Sequence, residues 1–216
     1  MTTGTTTNLS SLSDDYTAQN GETLTGKLLV SHKISIAAGA TVILKNVSIN
    51  YDDSPALSGS FAGINCLGGA TLIISGTENY VKGFSSGYPG IFVPTASTLT
   101  ITGNGTLYIN GHENAAGIGS GRDNIEAYRA CGNIVLQGGT IWATGGSGAA
   151  GIGSGATANY VEPQTGTPSS CGDITIKSSV IYVYAKKDSG AESIGKGQYS
   201  NCGTVTIEDP GKVTQQ

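Results

Sequence analysis

The chain of 216 residues is long enough for one domain or at most two, and its 34 glycines accompany only 6 prolines. Without a strict glycine period, this composition excludes collagen and argues against simple disorder. Charged residues make up 12% of the chain and the formal net charge is −4, so there is no basic stripe of the kind that nucleic acid requires. No stretch approaches about 18 consecutive apolar residues, and we therefore expect neither a nucleic-acid partner nor direct insertion into a membrane.

The first 15 residues, MTTGTTTNLSSLSDD, are rich in threonine and serine and poor in charge. This composition is typical of a linker in a secreted protein, and we interpret residues 1–15 as a linker or entry segment and residues 16–216 as a single domain. The segment lacks the charged and apolar regions of a signal peptide. Of two alternatives, a cytosolic protein or an exported one whose leader is not part of this sequence, we favour the second.

A tripeptide recurs along the chain and heads successive blocks of sequence. Two of the blocks read identically as AAGIGSG, and the isoleucines of successive tripeptides are 27, 27, 34 and 42 residues apart. The extra length falls at one point of the block, as RDNIEAYRA at 122–130 and ATANYVEPQTGTPSS at 156–170. Self-similarity at this period predicts a solenoid, with its insertions at one corner. The five tripeptides occupy residues 62–64, 89–91, 116–118, 150–152 and 192–194.

Each block contains two further short strands besides the tripeptide. Aliphatic and polar residues alternate in the first strand, so one face of it is apolar. Its inward residues are Val42, Leu44, Leu72, Ile74, Leu99, Ile101, Ile134, Leu136, Ile174, Ile176, Val205 and Ile207. After a corner comes the second strand, in which we expect the inward residues to be Leu107, Ile109, Ile141, Ala143, Ile181 and Val183.

Three short strands per coil predict an all-β fold, a parallel β-helix of about six coils. Equivalent strands of neighbouring coils would then lie about 4.8 Å apart, and the stacked aliphatic side chains would fill the interior. The first and last coils are irregular in sequence, as the caps of a solenoid must be. An antiparallel β-sandwich is the alternative, because it also consists of short strands with turns at this spacing. The identical repeats favour the β-helix.

Cys131, Cys171 and Cys202 stand at the same place in three blocks, just before the first strand and directly before a glycine. Stacking brings their Cα atoms into the range of a disulfide, but stacked side chains point in parallel and one cysteine of three would stay unpaired. We therefore expect a column of reduced, inaccessible thiols, with a bridge as the alternative. Cys66 is expected to fill the core.

Four strings carry a resemblance to a known family: ISIAAGATVILKNVSIN, the segment from NYVKG to TLTITGNGTLYING, AAGIGSG, and CGNIVLQGGTIWATGG. Together they resemble bacterial β-helical modules known as carbohydrate-binding domain-containing proteins, over nearly the whole chain from about Asp15. The resemblance implies a right-handed parallel β-helix and an extracellular or cell-surface location. It also implies polysaccharide binding or adhesion, with calcium in some relatives.

Parallel β-helices also carry polysaccharide lyases and hydrolases, so the fold alone does not decide the function. A hydrolase needs two carboxylates at a defined separation, and a lyase needs converging acidic residues beside a base. The acidic residues here do not recur at shared positions in neighbouring blocks, and His32 and His112 lie far apart in coil order. We therefore expect a protein that is not an enzyme.

Asp52 and Asp53 are the candidate metal ligands, because adjacent carboxylates can bind calcium; the alternative is two solvated acidic residues in a turn.

Outward threonines raise a further alternative, a face that binds a flat lattice such as ice. The central outward residues of the first strand read Ile43, Ile73, Thr100, Val135, Thr175 and Thr206. The threonines are interrupted, and β-branched residues are what an ordinary strand surface selects.

The insertions place a second group of candidate residues at one corner. Loops on a rigid scaffold often carry function, so these residues could form one polar and aromatic surface. The alternative is insertion that an exposed corner simply tolerates. The group consists of Arg122, Tyr128, Arg129, Tyr160 and Tyr199.

Tyr108, Trp142 and Tyr182 are the main candidates for binding carbohydrate. Alternation places them outward on three consecutive coils, where they would form a column that Tyr184 and Tyr80 extend. Aromatic rings can stack on the C–H faces of sugars, whereas the alternative is that the rings stack on one another and shield the strand. The sequence thus predicts a non-catalytic, extracellular module that binds polysaccharide or a cell-surface glycan. A structural spacer or protein-adhesion domain of a larger surface protein is the alternative.

Overall fold

A computed structural model describes residues 4–51, 57–157 and 167–216. Two short 3-10 turns, Leu9–Ser11 and Pro210–Lys212, lie near its ends. The strands in chain order are β1 (Thr6–Asn8), β2 (Tyr16–Ala18), β3 (Thr23–Lys27), β4 (Ile34–Ile36), β5 (Thr41–Ile49), β6 (Ile64–Cys66), β7 (Ala70–Ser75), β8 (Asn79–Lys82), β9 (Ile91–Phe92), β10 (Thr98–Gly103), β11 (Thr106–Asn110), β12 (Ile118–Gly119), β13 (Asn133–Leu136), β14 (Thr140–Thr144), β15 (Ile152–Gly153), β16 (Ser170–Cys171), β17 (Ile174–Ile176), β18 (Tyr182–Lys186), β19 (Ile194–Gly195), β20 (Asn201–Cys202), β21 (Val205–Ile207) and β22 (Val213–Gln215).

The chain is a parallel β-helix, because every pairing between these strands is parallel and joins one coil to the next. One curled sheet of 13 strands provides two walls. It is continuous because β5 pairs with β7 along its first half and with β8 along its second. The third wall is a sheet of seven strands in the order β19-β15-β12-β9-β6-β4-β2. The predicted fold class is confirmed, and the antiparallel sandwich is excluded.

The predicted aliphatic columns fill the interior of the first wall. Ile101 lies opposite Leu72 and Leu136 in the neighbouring coils, and this column continues to Ile176 and Ile207. All but the last are almost completely buried. Val205, predicted to be inward, is 37% exposed because it lies in the last strand of this wall.

The third wall explains the repeated string AAGIGSG. Gly119 and Gly153 have φ values of +140° and +139°, and a Cβ on Gly119 would lie 1.8 Å from the carbonyl oxygen of Gly153 in the next coil. The Ser120 hydroxyl accepts a hydrogen bond (3.0 Å) from the backbone N of Gly155, also in the next coil. Both small residues are therefore required for close coil stacking. The isoleucines of the repeat form one buried column of Ile64, Ile91, Ile118, Ile152 and Ile194.

The described part of the entry segment, from Gly4 onward, packs onto the first coil. Strand β1 pairs with β3, and Leu9 is completely buried. The Tyr16 hydroxyl donates a hydrogen bond to Glu22 (2.9 Å), whose carboxylate also accepts one from the backbone N of Gln19 (2.7 Å). This segment thus covers the N-terminal end of the core.

The expected column of reduced thiols is wrong for two of its three members. Cys131 and Cys171 form a disulfide between neighbouring coils, with their Cα atoms 4.6 Å apart. This stacking distance lies within the range that a disulfide requires, so the bond forms although the two strands run in parallel. Cys202 lies opposite Cys171 and remains a thiol. Cys66 is a buried thiol, as predicted, and burial raises its pKa to about 12.

Candidate functional site

The outer face of the second wall carries a column of stacked aromatic rings, which we call the aromatic ladder: Tyr80, Tyr108, Trp142 and Tyr184. Parallel pairing places these four residues directly opposite one another in consecutive coils. Centroid distances are 4.9 Å from Tyr80 to Tyr108, 6.1 Å from Tyr108 to Trp142, and 4.7 Å from Trp142 to Tyr184. Tyr51 extends the ladder at one end, with its ring 4.6 Å from that of Tyr80.

The ladder corrects the predicted column at its last coil. Strand β18 pairs Tyr184, not Tyr182, with Trp142, and it pairs Tyr182 with Thr140. Ile181, predicted to be inward, is 54% exposed. A slip of two residues preserves the alternation of inward and outward positions, so periodicity alone could not detect it. Tyr182 still faces outward beside the ladder, with its ring 6.1 Å from Trp142.

The rings of the ladder cover one another's faces. Tyr80 and Tyr108 are stacked at an interplanar angle of 13°, and Tyr108 and Trp142 at 21°. All the ladder residues are half-buried. The alternative prediction, that the rings stack on one another, is therefore confirmed for the arrangement of the rings. The surfaces left for a ligand are the ring edges, the hydroxyl groups and the ring faces at the two ends.

Two of the ladder hydroxyls have partners within the protein. The Tyr184 hydroxyl donates a hydrogen bond to Oε1 of Gln216. A hydrogen bond to Glu78 and, to a smaller extent, desolvation raise the pKa of Tyr80 to about 12. The Tyr80 hydroxyl therefore donates its hydrogen bond to Glu78, and its oxygen can still accept a hydrogen bond from a ligand.

A second outward column, here called the polar column, runs beside the ladder. It lies two residues further along each strand and so shares the outward face. Its members pair in register across four coils. They are Lys82, Asn110, Thr144 and Lys186.

The polar column opens into a cleft of about 380 Å³ at the corner where β14 and β18 end. We call it the terminal cleft. Its floor is the backbone of Gly145 and Gly146, and its side chains come from three coils. These side chains are Glu113, Thr144, Ser147, Lys186, Lys187 and Asp188.

The loop-corner surface differs from its prediction, because Tyr128 belongs to the core. It is only 9% exposed, and its ring lies 4.7 Å from Phe92 and 5.0 Å from Tyr88. Its hydroxyl donates a hydrogen bond to Oδ1 of the buried Asn65. Burial raises the pKa of Tyr128 to about 12. The insertion thus folds back over its corner, and Ile125, three residues before Tyr128, packs on the same core.

Only some of the other predicted corner and metal residues lie in the part of the chain that the structure describes. Nε of Arg122 lies 3.9 Å from Oδ1 of Asp123, and Tyr199 is 54% exposed. Tyr160, Asp52 and Asp53 lie outside the described residues. Within the described residues, no group of three or more histidine, cysteine or acidic side chains is placed to hold a metal ion. In that same part of the chain, no helix is long and apolar enough to cross a membrane.

The first wall carries an outward column that the structure also corrects. Strand β7 pairs Thr71, not Ile73, with Thr100. The column therefore has a β-branched residue in each of six consecutive coils, and five of these residues are threonines with one valine between them. It consists of Thr41, Thr71, Thr100, Val135, Thr175 and Thr206. Such residues are still those of an ordinary strand surface.

Comparisons with known proteins do not assign the chain. No family model matches it, and no curated protein or solved structure is significantly similar to it. The resemblance to carbohydrate-binding β-helical modules stays a prediction, and the function has to be inferred from the ladder, the polar column and the terminal cleft.

Proposed function

We propose that the chain is a non-catalytic module that binds polysaccharide or a cell-surface glycan along the outer face of the second wall. The observation that supports this function best is the aromatic ladder running beside the polar column over the same four coils. Sugars present apolar C–H groups next to hydroxyl groups. Aromatic rings that are apolar in their body and polar at the hydroxyl suit such a surface, and the polar column adds hydrogen-bonding groups.

The length of the ladder favours a polymer as the ligand. Four coils at a strand spacing of about 4.8 Å extend about 14 Å from Tyr80 to Tyr184. A surface of this length contacts several sugar units at once. Each contact is weak because the inner ring faces are covered, but stacking restricts the rings before any ligand arrives. Less conformational entropy is then lost on binding, which favours affinity.

The disulfide supports a location outside the cytosol. Disulfide bonds form and persist in oxidising compartments and are rare where thiols are kept reduced. The bond between Cys131 and Cys171 thus agrees with an extracellular or cell-surface protein, the location in which a polysaccharide would be met. We propose the same location for this chain.

A glycoside hydrolase is the less favoured function. Glu113 and Asp188 line the same cleft and resemble, in type, the two carboxylates of such an enzyme. Both residues are exposed, however, whereas a catalytic acid needs a desolvated environment that keeps it protonated. Release of reducing sugar from a bound polysaccharide would contradict the non-catalytic proposal.

The test is binding to a panel of polysaccharides, with and without a chelator, by calorimetry. Trp142→Ala removes the largest ring of the ladder and should weaken binding by about 1–2 kcal/mol, or roughly 5- to 30-fold. Leu67→Ala is the control, because Leu67 is an exposed apolar residue outside both the ladder and the loop corner. Equal affinities of the two variants would remove the ladder from the binding surface. A folded wild type that binds no polysaccharide would leave the spacer or protein-adhesion function.

A further inference from the structure

We propose that the terminal cleft is a subsite for one neutral sugar unit, a chain end or a branch of the polysaccharide that lies along the ladder. This inference rests on the proposed function for the ladder, but it concerns different residues. The cleft volume of about 380 Å³ lies at the lower end of the range for small-molecule sites, which suits a single sugar ring rather than a long chain.

The cleft is continuous with the ladder. Thr144 follows Trp142 by two residues on β14, and Lys186 follows Tyr184 by two residues on β18. Both pairs therefore face outward on the same two coils. When one sugar unit of a polysaccharide contacts these two rings, the next unit along the chain lies beside Thr144 and Lys186. Both residues also line the cleft.

The shape of the cleft depends on its glycine floor. Gly145 donates its backbone N–H to the carbonyl oxygen of Lys186 (2.9 Å), and Gly146 donates to that of Ala115 (2.9 Å). A Cβ on Gly146 would lie 2.0 Å from the carbonyl oxygen of His112. The floor therefore carries no side chains because the coils approach too closely, and this leaves the space between the flanking side chains open.

The charges of the cleft favour a neutral ligand rich in hydroxyl groups. Lys186 and Lys187 supply two positive charges, and Glu113 and Asp188 supply two negative charges, so the formal charges cancel. Among the described residues, no ion pair joins these four side chains. A sugar hydroxyl can donate to a carboxylate and accept from an ammonium group, so a neutral sugar can use both kinds of side chain, whereas a uronate gains no net electrostatic attraction where the charges cancel.

One of the two carboxylates is held by a hydrogen bond within the protein. Oδ1 of Asp188 accepts a hydrogen bond from the backbone N of Ser189 (2.6 Å), which restricts the side chain. Its other oxygen has capacity to accept from a ligand hydroxyl. Hydrogen bonds to charged groups are among the stronger ones that a sugar can form.

The experiment separates the cleft from the ladder. Amide spectra of the 21.8 kDa chain are recorded by NMR while glucose, galactose, mannose or glucuronate is added. We expect at least one neutral sugar to shift the amides of Gly145 and Gly146, and the double variant Glu113→Gln, Asp188→Asn to weaken that binding about tenfold or more. Glu126→Gln, a change at an exposed acidic residue on a different corner, is the control and should bind like the wild type.

Each outcome assigns or removes the subsite. Loss of the shifts in the double variant, with their retention in Trp142→Ala, supports the cleft as a site of its own. No shift with any neutral sugar, or binding of glucuronate alone, overturns the proposal. Neither result depends on whether the polysaccharide panel detects binding at the ladder, so failure of the subsite and failure of the proposed function are distinguishable.

Discussion

Ile176 illustrates how strictly the interior selects its residues. Its side chain is 1% exposed and lies opposite Leu136 and Ile207 in the neighbouring coils. The adjacent Thr175 points to the opposite face, as alternation requires. Two neighbouring residues of one strand thus experience entirely different environments.

Ile176→Asp should therefore prevent folding or destabilise the chain by about 4 kcal/mol or more, because an unpaired charge would be buried. Thr175→Asp is the matched control, since it introduces the same charge on the outward face of the same strand. Urea denaturation followed by circular dichroism measures both free energies of unfolding. Similar midpoints for the two variants would contradict the inward assignment.

Tyr128 contributes to stability in a pH-dependent way. Burial raises its pKa to about 12, above the value of about 10 expected in the unfolded chain. The unfolded state then loses its proton first, so the contribution is complete below about pH 10 and is lost as the pH rises toward 12. Tyr128→Phe should lower the stability at neutral pH by about 1–2 kcal/mol, because Oδ1 of Asn65 loses its donor.

The same variant should lose less stability than the wild type between pH 10 and 12. Tyr199→Phe, at an exposed position, serves as the control and should follow the wild type. Denaturation at several pH values gives the comparison. If Tyr128→Phe lost as much stability between pH 10 and 12 as the wild type does, groups other than Tyr128 would be responsible for that loss.

At the level of the strand and its corner, glycine is required for two separate reasons: a positive φ and the close approach of the next coil. Gly153 and Gly39 both have positive φ, +139° and +76°. A Cβ on Gly153 would lie 1.8 Å from the carbonyl oxygen of Gly195, whereas nothing lies within 4 Å of a Cβ on Gly39. The two positions share the conformational requirement and differ in the space between coils.

Gly39→Ala should therefore destabilise the chain by about 1 kcal/mol, the cost of the backbone conformation alone. Gly153→Ala should cost at least about 3 kcal/mol, because the coils must also move apart. Thermal unfolding of the two variants measures the difference. Equal losses would mean that coil spacing is not what selects glycine in the repeat.

The sequence was sufficient to predict the repeating strands of the coils but not how far each strand is shifted along its neighbour. Repeats and alternation predict the three walls, most of the inward residues and the outward position of Tyr108 and Trp142. The registers of Tyr184 and Thr71 were missed, since a shift of two residues conserves the pattern of burial. Tyr128 was missed because an insertion can fold outward or inward, although its spacing of three residues from Ile125 indicated an apolar side.

At the level of the whole molecule, the disulfide links two coils that are 40 residues apart in sequence. Cross-linking a loop of this length is expected to stabilise the folded state by about 2–4 kcal/mol, chiefly by restricting the unfolded chain. The double change Cys131→Ala and Cys171→Ala, which buries no new polar group, should lower the free energy of unfolding by that amount. The reduced wild type provides the reference, because it lacks the bond but keeps all four cysteine side chains.

The thiol content provides an independent check. Denatured but unreduced protein should react with two equivalents of a thiol reagent, at Cys66 and Cys202. In the native protein the reaction should be slow, because burial raises the pKa of both thiols, that of Cys202 to about 11. Four reactive thiols after denaturation would show that the bridge is not formed.

The position of that disulfide also bears on how disorder spreads through a solenoid. Each coil contacts mainly its neighbours, so unfolding can begin at an end and proceed coil by coil. Unfolding from the C-terminal end first separates the coil of β21 and β22 from its neighbour. It then reaches the covalent bond between the two coils that carry Trp142 and Tyr184. The bond lies where it would halt this process, and it would keep the binding face assembled while the end of the rod opens and closes.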